Sequence, residues 1–352
     1  MLRLLCFGAG AVGTVLVLRY RRRRSAGGGG KNVLSVRIGT RKSDLAMIQT
    51  YHVESLLLGL FPDIRIAIQE GVSAHGDNVL DQSLKALAAK TPGLFTKELE
   101  AGLLMGQYDF VVHSLKDMPT TLPDGLVLAA ITEREDPRDA LVVHEKHRGK
   151  GGLAGLAHGA VVGTSSIRRE AVLRRDYPHL KIKLIRGNVN TRLAKLDSGE
   201  YDAIILAVAG LVRLGKEFEA RIEASLDPPQ FMYGVGQGAL GLQCRAGDEK
   251  IINMLKAIEH PDTAARCKSE RSLLYTLQGG CQVPLGVYSQ VDGDKLTLEC
   301  TILSEDGTQS IQKSASGHKS SPEKLGITLA NELIKGGAGD LLNSFRVGDN
   351  PR

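Results

Sequence analysis

Five stretches of this chain end an apolar, strand-like run in a cluster of cationic and hydroxyl side chains where a helix should start. Val33–Ile38 leads into Thr40, Arg41, Lys42 and Ser43. Phe110–Val112 leads into His113, Ser114, Lys116 and Asp117, and Val161–Val162 into Thr164, Ser165, Ser166, Arg168 and Arg169. Ile182–Ile185 leads into Arg186, Asn188, Asn190, Thr191 and Arg192, and Ala203–Leu206 into Ala209, Gly210 and Arg213. Ligands of open α/β sheets bind beyond the carboxyl ends of strands and against helix N-termini, whose free N–H groups favour anions. Arginine adds a planar fork that meets a carboxylate or phosphate with two bonds at once. Six arginines and two lysines at such junctions imply a ligand with several negative groups. Any one of them alone is more simply a surface residue or the partner of a nearby acid. The repetition over five junctions outweighs that simpler account.

Asp117 is an acid among these cations. Positive neighbours keep a carboxylate ionised, and such a group could stabilise a developing cation or move a proton. A helix cap or a salt bridge to Lys116 is the plainer alternative. His113 is as much a satisfied strand-end residue as a catalyst. Cys281 stands in Gln278-Gly279-Gly280-Cys281-Gln282-Val283-Pro284. The glycine pair permits unusual backbone angles and close approach, so the thiol suits a nucleophile or an attachment point. No Cys-His signature accompanies it, which leaves a protease-like mechanism without support. Two G-x-G-x-x-G matches occur, at Gly8–Gly13 and Gly236–Gly241. The first is followed by Arg21–Arg24 and Gly27–Gly30 where a dinucleotide fold needs a strand and an acid. The second has no fitting strand before it and reads as a hinge.

Composition narrows the ligand further. Of 45 basic residues, six arginines (Arg3, Arg19 and Arg21–Arg24) lie in the first 30 residues with no acid; the remaining 39 balance 39 acidic residues. The basic pI thus belongs to a tail, and nucleic acid is not an expected partner. With no Trp and 4% aromatics, stacking platforms are not expected either. Five cysteines with wide spacing and no C-x-x-C pair speak against a disulfide framework or a zinc site. A reducing, cytoplasmic setting, no metal and a monomer are expected, with most thiols as small buried hydrophobes. Leu4–Leu18 is 15 apolar residues followed by arginines. It is short for a membrane span and has its charge on the wrong side for a secretory signal. It reads as a flexible or weakly membrane-associating extension, with Gly27–Gly30 as a linker.

The elements that must position these groups alternate. Strand, helix, strand, helix from Asn32 onward imply an α/β domain with a mainly parallel sheet, and the alternation restarts after Thr132–Pro137. Ser43, Thr96 and Ser166 stand where helix caps belong. Beyond Asp227-Pro228-Pro229, helices and strands come in blocks, which suggests a smaller α+β domain. The expected organisation is an extension over residues 1–32, a first α/β domain over 33–132 plus about 218–240, a second over 133–217, and an α+β domain over 241–352.

Seven motifs in order resemble the hydroxymethylbilane synthase family, also called porphobilinogen deaminases. They are Ile38-Gly39-Thr40-Arg41-Lys42-Ser43, Leu94-Phe95-Thr96-Lys97-Glu98-Leu99-Glu100, His113-Ser114-Leu115-Lys116-Asp117-Met118-Pro119, Val162-Gly163-Thr164-Ser165-Ser166-Ile167-Arg168-Arg169, Arg186-Gly187-Asn188-Val189-Asn190-Thr191-Arg192, Gly236-Gln237-Gly238-Ala239-Leu240-Gly241 and Gly279-Gly280-Cys281-Gln282-Val283-Pro284. The resemblance implies two α/β domains like type II periplasmic binding proteins, with two crossovers, and a C-terminal α+β domain bearing the cysteine loop. It implies a dipyrromethane cofactor on Cys281 through a thioether, to which four porphobilinogen units are added with loss of ammonia before water releases the linear tetrapyrrole. Asp117 is then the catalytic carboxylate. The cofactor's acetates and propionates fall to Ser114, Lys116, Thr164, Ser165, Ser166, Arg168, Arg169, Arg186, Arg192, Arg213 and Gln237, and the substrate's to Arg41, Ser43, Arg168 and Arg192. One departure is Pro92, where the family often has a basic residue two positions before Leu94-Phe95, next to a mobile active-site loop implied at about 71–92. A non-enzymatic anion-binding protein has no need of Cys281 together with Asp117. A dehydrogenase would rest on the two weak glycine motifs.

Overall fold

A computed structural model of the chain describes residues 34–70, 96–277 and 283–342. Cys281 with its preceding glycines, the N-terminal extension, the expected active-site loop and Pro92 lie outside the described residues.

The first unit contains β1 (Ser35–Thr40), α1 (Asp44–Leu60), β2 (Arg65–Glu70), α2 (Lys97–Leu104), β3 (Phe110–Ser114) and β4 (Leu126–Ile131). Phe110 and Val112 of β3 join Val36, Ile38, Val53 and Leu57 in one core, while Val111 packs with Leu99, Leu103 and Tyr108 in another. A strand covered on both faces has no polar side, so β3 begins with the continuous apolar run Phe110–Val112 rather than alternating. The sheet order is β2-β1-β3-β10-β4, with β10 (Leu240–Arg245) antiparallel to both neighbours.

The second unit contains β5 (Asp139–Val143), β6 (Val161–Gly163), α3 (Ile167–Asp176), β7 (Lys181–Lys183), α4 (Val189–Asp197), β8 (Ala203–Ala207), α5 (Val208–Leu214), a short α6 (Lys216–Glu219) and β9 (Ala224–Leu226). Its order is β7-β6-β8-β5-β9, again with the fourth strand antiparallel to both neighbours. Each sheet has three parallel strands, then the strand by which the chain arrives from the other unit, then a last strand. The chain crosses twice, over residues 132–138 and 227–239. This is the expected fold class of two like α/β domains with paired crossovers.

The expected boundary over residues 218–240 is corrected by strand pairing. Ala224–Leu226 pairs with β5 of the second sheet, and the chain rejoins the first sheet only at Leu240–Arg245. After it, α7 (Glu249–Lys256) buries Ile251, Met254 and Leu255 in the first unit's core. The first unit therefore keeps the chain through about Ile258, which packs on that core. Local periodicity identifies a strand but not its partner, and β10 finds its partners more than 100 residues earlier.

The third unit starts with α8 (Pro261–Thr276), followed by β11 (Leu285–Asp292), β12 (Lys295–Leu303), β13 (Ser310–His318) and α9 (Pro322–Leu333). Its antiparallel sheet runs β11-β12-β13, and Leu273, Leu277, Leu329 and Leu333 of the helical segments cover Val287, Leu296, Leu298 and Ile302. Tyr233 of the second crossover bridges to Val287, so this unit is fastened to the hinge. Among the described residues no helix is long and apolar enough to cross a membrane.

Candidate active site

Beyond β3, Leu115–Asp117 forms a single 3₁₀ turn. Residues three apart lie on one side of such a turn. Leu115 and Met118 are accordingly buried together with Ile131, Ala239, Ala264 and Cys267, while Lys116 and Asp117 face outward. The turn is pinned at its start by Leu115 N–H donating to the Ala239 carbonyl (3.0 Å) and closed by Met118 N–H donating to Leu115 (3.1 Å).

The second unit brings its cations to this turn. Arg192 lies in the fields of Arg169, Arg186 and Asp117; burial first, then the two arginines, pull its pKa down to about 10, and Asp117 opposes them. Lys116 is solvent-exposed as a residue, but the protein mass around it still pushes its pKa down. Asp117 and Asp139 oppose that shift, and Arg169 and Arg192 add to it. Two carboxylates, Asp117 and Asp139, and four cations thus share a single neighbourhood between the two sheets. At the edge of the cleft, Asn190 Nδ2 donates to Asp44 Oδ2 across the units at 3.0 Å.

Arg186 is the most telling of these cations. It is 7% exposed, and its buried Nε and Nη2 have no hydrogen-bond partner among the described residues. An unpaired buried donor costs on the order of 1–3 kcal/mol, and more when charged. Burial also lowers its pKa. A carboxylate placed there would satisfy both atoms, so this set of residues fits a carboxylate-rich group such as a dipyrromethane. Nearby, Arg192 Nε donates to the Gly187 carbonyl at 2.8 Å. Gly187 has φ 113°, and a Cβ there would stand 2.7 Å from Thr191 Cγ2, so no other residue fits without strain. Asn188 caps this helix by accepting from Thr191 N–H (2.9 Å).

The remaining expected site residues divide. Arg168 Nη1 donates to Asp139 Oδ2 (2.7 Å) and the Met232 carbonyl (2.6 Å). Arg169 donates Nε and Nη2 to Asp139 Oδ1 (3.1 and 2.7 Å) and Nη1 to the Ile205 carbonyl (2.7 Å). Gln237 Nε2 donates to Asp139 Oδ1 (2.9 Å) and the Pro137 carbonyl (2.6 Å). All three are engaged within the protein. Their described bonds serve an internal acid and the crossovers, although Arg169 still contributes its field to Lys116 and Arg192. Arg213 Nη2 donates to the Gly238 carbonyl (2.7 Å), which places it at the hinge. Thr164 accepts from Ser166 N–H (3.1 Å), and Ser166 caps α3 by accepting from Arg169 N–H (3.5 Å). Ser165 lies half-buried between them. Ser114 exchanges hydrogen bonds with Gln49. Ser43 holds the N-cap position of α1 without a side-chain cap bond, next to half-buried Arg41.

His113 proves to be a satisfied wall residue. Its Nε2 meets Gln243 Oε1 at 2.9 Å, and Gln243 Nε2 donates to Glu100 Oε1 at 3.1 Å. Because Gln243 uses its amide nitrogen on Glu100, His113 must be the donor in its own bond. Burial, with Arg41 adding and the Gln243 bond opposing, takes its pKa down to about 4, so it is neutral near pH 7. Cys244, Cys267 and Cys300 are buried free thiols with raised pKa values, as expected of small hydrophobes.

Two acids at the centre of the molecule escaped sequence reasoning. Asp139 is 0% exposed; burial pushes its pKa up, but Arg168 and Arg169 overcome that and hold it ionised. The available signal was an acid heading the apolar run Ala140–Val143, which has to be buried. Glu270 is also 0% exposed. It pairs with Arg134 (2.6 and 3.0 Å) and accepts from Gly236 N–H (2.8 Å), and so touches both crossovers. Arg134 lies 4.9 Å from the Tyr233 ring centre. No local pattern marked that pair.

A carboxylate and a set of cations share one cleft between two like α/β lobes, and one cation has buried donors with no partner among the described residues, the make-up of a cleft for a polyanionic ligand. Comparison with known proteins agrees. The family model for the dipyromethane cofactor binding domain of porphobilinogen deaminase matches residues 36–253, and the model for its C-terminal domain matches 264–335. The porphobilinogen deaminase of a Nostoc species is 52% identical over 311 residues, covering 88% of this chain and 94% of that protein. That of Synechococcus elongatus is 50% identical over 310 residues, covering 88% and 95%. The chain belongs to the porphobilinogen deaminase family. A Salmonella typhimurium periplasmic binding protein described as arginine-specific overlaps 64% of this chain and 92% of its own at 12% identity and a TM-score of 0.35, a partial likeness. The fold class stands on the strand order itself.

Proposed function

We propose that this chain is a hydroxymethylbilane synthase, a transferase that condenses four porphobilinogen molecules head to tail with loss of ammonia and releases the linear tetrapyrrole by hydrolysis. The observation that carries this is the buried Nε and Nη2 of Arg186, which have no partner among the described residues, in the same field as Arg192, Lys116 and Asp117. Bound through Cys281, a dipyrromethane supplies the pyrrole end onto which units are added. Each pyrrole brings two carboxylates, and Arg186, Arg192 and Lys116 pair with them and fix the ring in place, with Arg41 and Ser43 assigned to the incoming substrate.

Asp117 then has a defined task. As ammonia leaves porphobilinogen, positive charge grows on the substrate ring. A carboxylate accepting that ring's N–H holds the charge where it develops and moves the proton as the ring returns to neutrality. The protein is assigned to the cytoplasm, in keeping with its thiol usage.

Intact mass and turnover test the proposal together. Wild-type protein should carry the mass of two linked pyrroles, and Cys281→Ala should lack it and be inactive. Asp117→Asn should keep the mass and lose most ammonia release. Active wild-type protein of unmodified mass would overturn the cofactor assignment, and near-normal turnover by Asp117→Asn would overturn the catalytic one.

A further inference from the structure

Helix α8 reaches three other parts of the molecule from neighbouring positions. Cys267 packs beneath the 3₁₀ turn with Leu115 and Met118. Glu270 holds both crossovers through Arg134 and Gly236. Arg271 reaches the catalytic turn: its Nη1 donates to the Met118 carbonyl (3.1 Å) and its Nη2 to the Pro119 carbonyl (2.7 Å). The same helix ends at Thr276, five residues before Cys281.

The Arg271 arrangement is unusual for a guanidinium. No carboxylate pairs with it among the described residues, and burial lowers its pKa. A charged donor set is held in a poorly solvated place for two neutral acceptors, and those acceptors belong to the two residues directly after Asp117. A 3₁₀ turn of three residues has only one internal hydrogen bond to keep its shape, here Met118 N–H to Leu115. Two consecutive peptide planes fixed from outside by one rigid fork determine how the turn exits, and with it the direction in which Asp117 projects.

We infer that Arg271 is a positioning residue for Asp117, through which the helix leading to the cofactor cysteine sets the aim of the catalytic carboxylate. This rests on the assignment of Asp117 given above. Arg271 touches neither substrate nor reacting atoms. Its effect belongs in kcat, because a small displacement of a catalytic group can cost about a hundredfold in rate while leaving substrate carboxylate contacts intact.

The test uses full-length protein carrying its cofactor. Arg271→Lys can reach one carbonyl but not both with fork geometry, and Arg271→Gln keeps a single neutral donor group. Both should retain the cofactor mass, with KM within about twofold and kcat reduced about tenfold for Lys and further for Gln. In an Asp117→Asn background, Arg271→Lys should cause almost no additional loss in residual turnover, because residues acting as a unit are not additive. A merely structural tie predicts the reverse: equal fractional loss in both backgrounds, rising KM and a lowered unfolding temperature that tracks the loss. That result, or unchanged kcat in Arg271→Gln beside a crippled Asp117→Asn, overturns the Arg271 assignment alone. Near-normal turnover by Asp117→Asn itself overturns the assignment on which it rests.

Discussion

Two arginine pairs reach the cleft of the second α/β unit by the same device, a strand end running into a helix start, and they end in opposite situations. Arg168 and Arg169 close on Asp139, an acid with no exposed surface. Among the described residues, the buried Nε and Nη2 of Arg186 have nothing to bind, and Arg192 has the Gly187 carbonyl at its Nε. The residue type and the junction are the same. What differs is whether the fold brings an internal acid within reach. A paired fork stiffens the protein, whereas an unpaired one is a binding site held ready at some cost in stability, the trade expected where affinity depends on preorganisation.

The strongest way to break this comparison is to remove the acid. Asp139→Asn leaves two guanidiniums buried without the carboxylate they share, and loss of one partner from a buried pair costs roughly 3–5 kcal/mol. Denaturant unfolding should show a loss of that size, larger than for any substitution at Arg186. Asp139 also accepts from Gln237 of the second crossover, so the loss should extend to the fit between the units. A loss below about 1 kcal/mol, the range of surface pairs, would mean that Arg168 and Arg169 are as free as Arg186.

The sequence carried the junctions well and the pairings poorly, for one physical reason. Strand ends, caps and glycines such as Gly187 are decided within a few residues, so Asp117, Arg186 and Arg192 could be placed on the cleft by inspection. The Arg169–Asp139 and Arg134–Glu270 bonds join residues 30 and 136 positions apart. Nothing near Arg168 or Arg169 distinguishes them from Arg186, and they were grouped with it as ligand-facing. The same blindness shifted the domain boundary, because β10 is recognisable as a strand but not as a partner of β3. Arg213 lies in the last turn of α5 and Gln237 between the hinge glycines, and their described bonds go to the crossover backbone.

His113 sharpens the comparison as a buried titratable group satisfied by a neutral partner. Its folded pKa of about 4 lies below the ordinary histidine value of 6.5. A folded state that binds the proton more weakly than the unfolded chain loses stability as the pH falls. His113 should therefore contribute fully above pH 6.5, and its contribution should decline through the interval down to about pH 4. The decline is on the order of 3 kcal/mol at most. His113→Gln, which keeps a donor for Gln243, should flatten this part of the stability–pH curve while leaving the neutral-pH stability within about 1 kcal/mol. An unchanged acid limb would assign the loss to other groups.

Arg186 gives the smallest change in stability and the one whose sign matters most. Arg186→Met removes two buried donors that have no partner among the described residues, and replacing an unpaired buried charge with an apolar side chain of similar length is neutral or stabilising. Protein prepared without its cofactor should unfold at the same denaturant concentration or a slightly higher one, a gain of up to about 1 kcal/mol. The catalytic readout should move the other way. A charge-assisted bond to a carboxylate contributes about 1.5–3 kcal/mol, so cofactor assembly or kcat/KM should fall by tens of fold. The opposite signs of the two effects separate a cation held for a ligand from one held for the fold. A destabilisation like that of Asp139→Asn would instead mean that Arg186 belongs with Arg168 and Arg169.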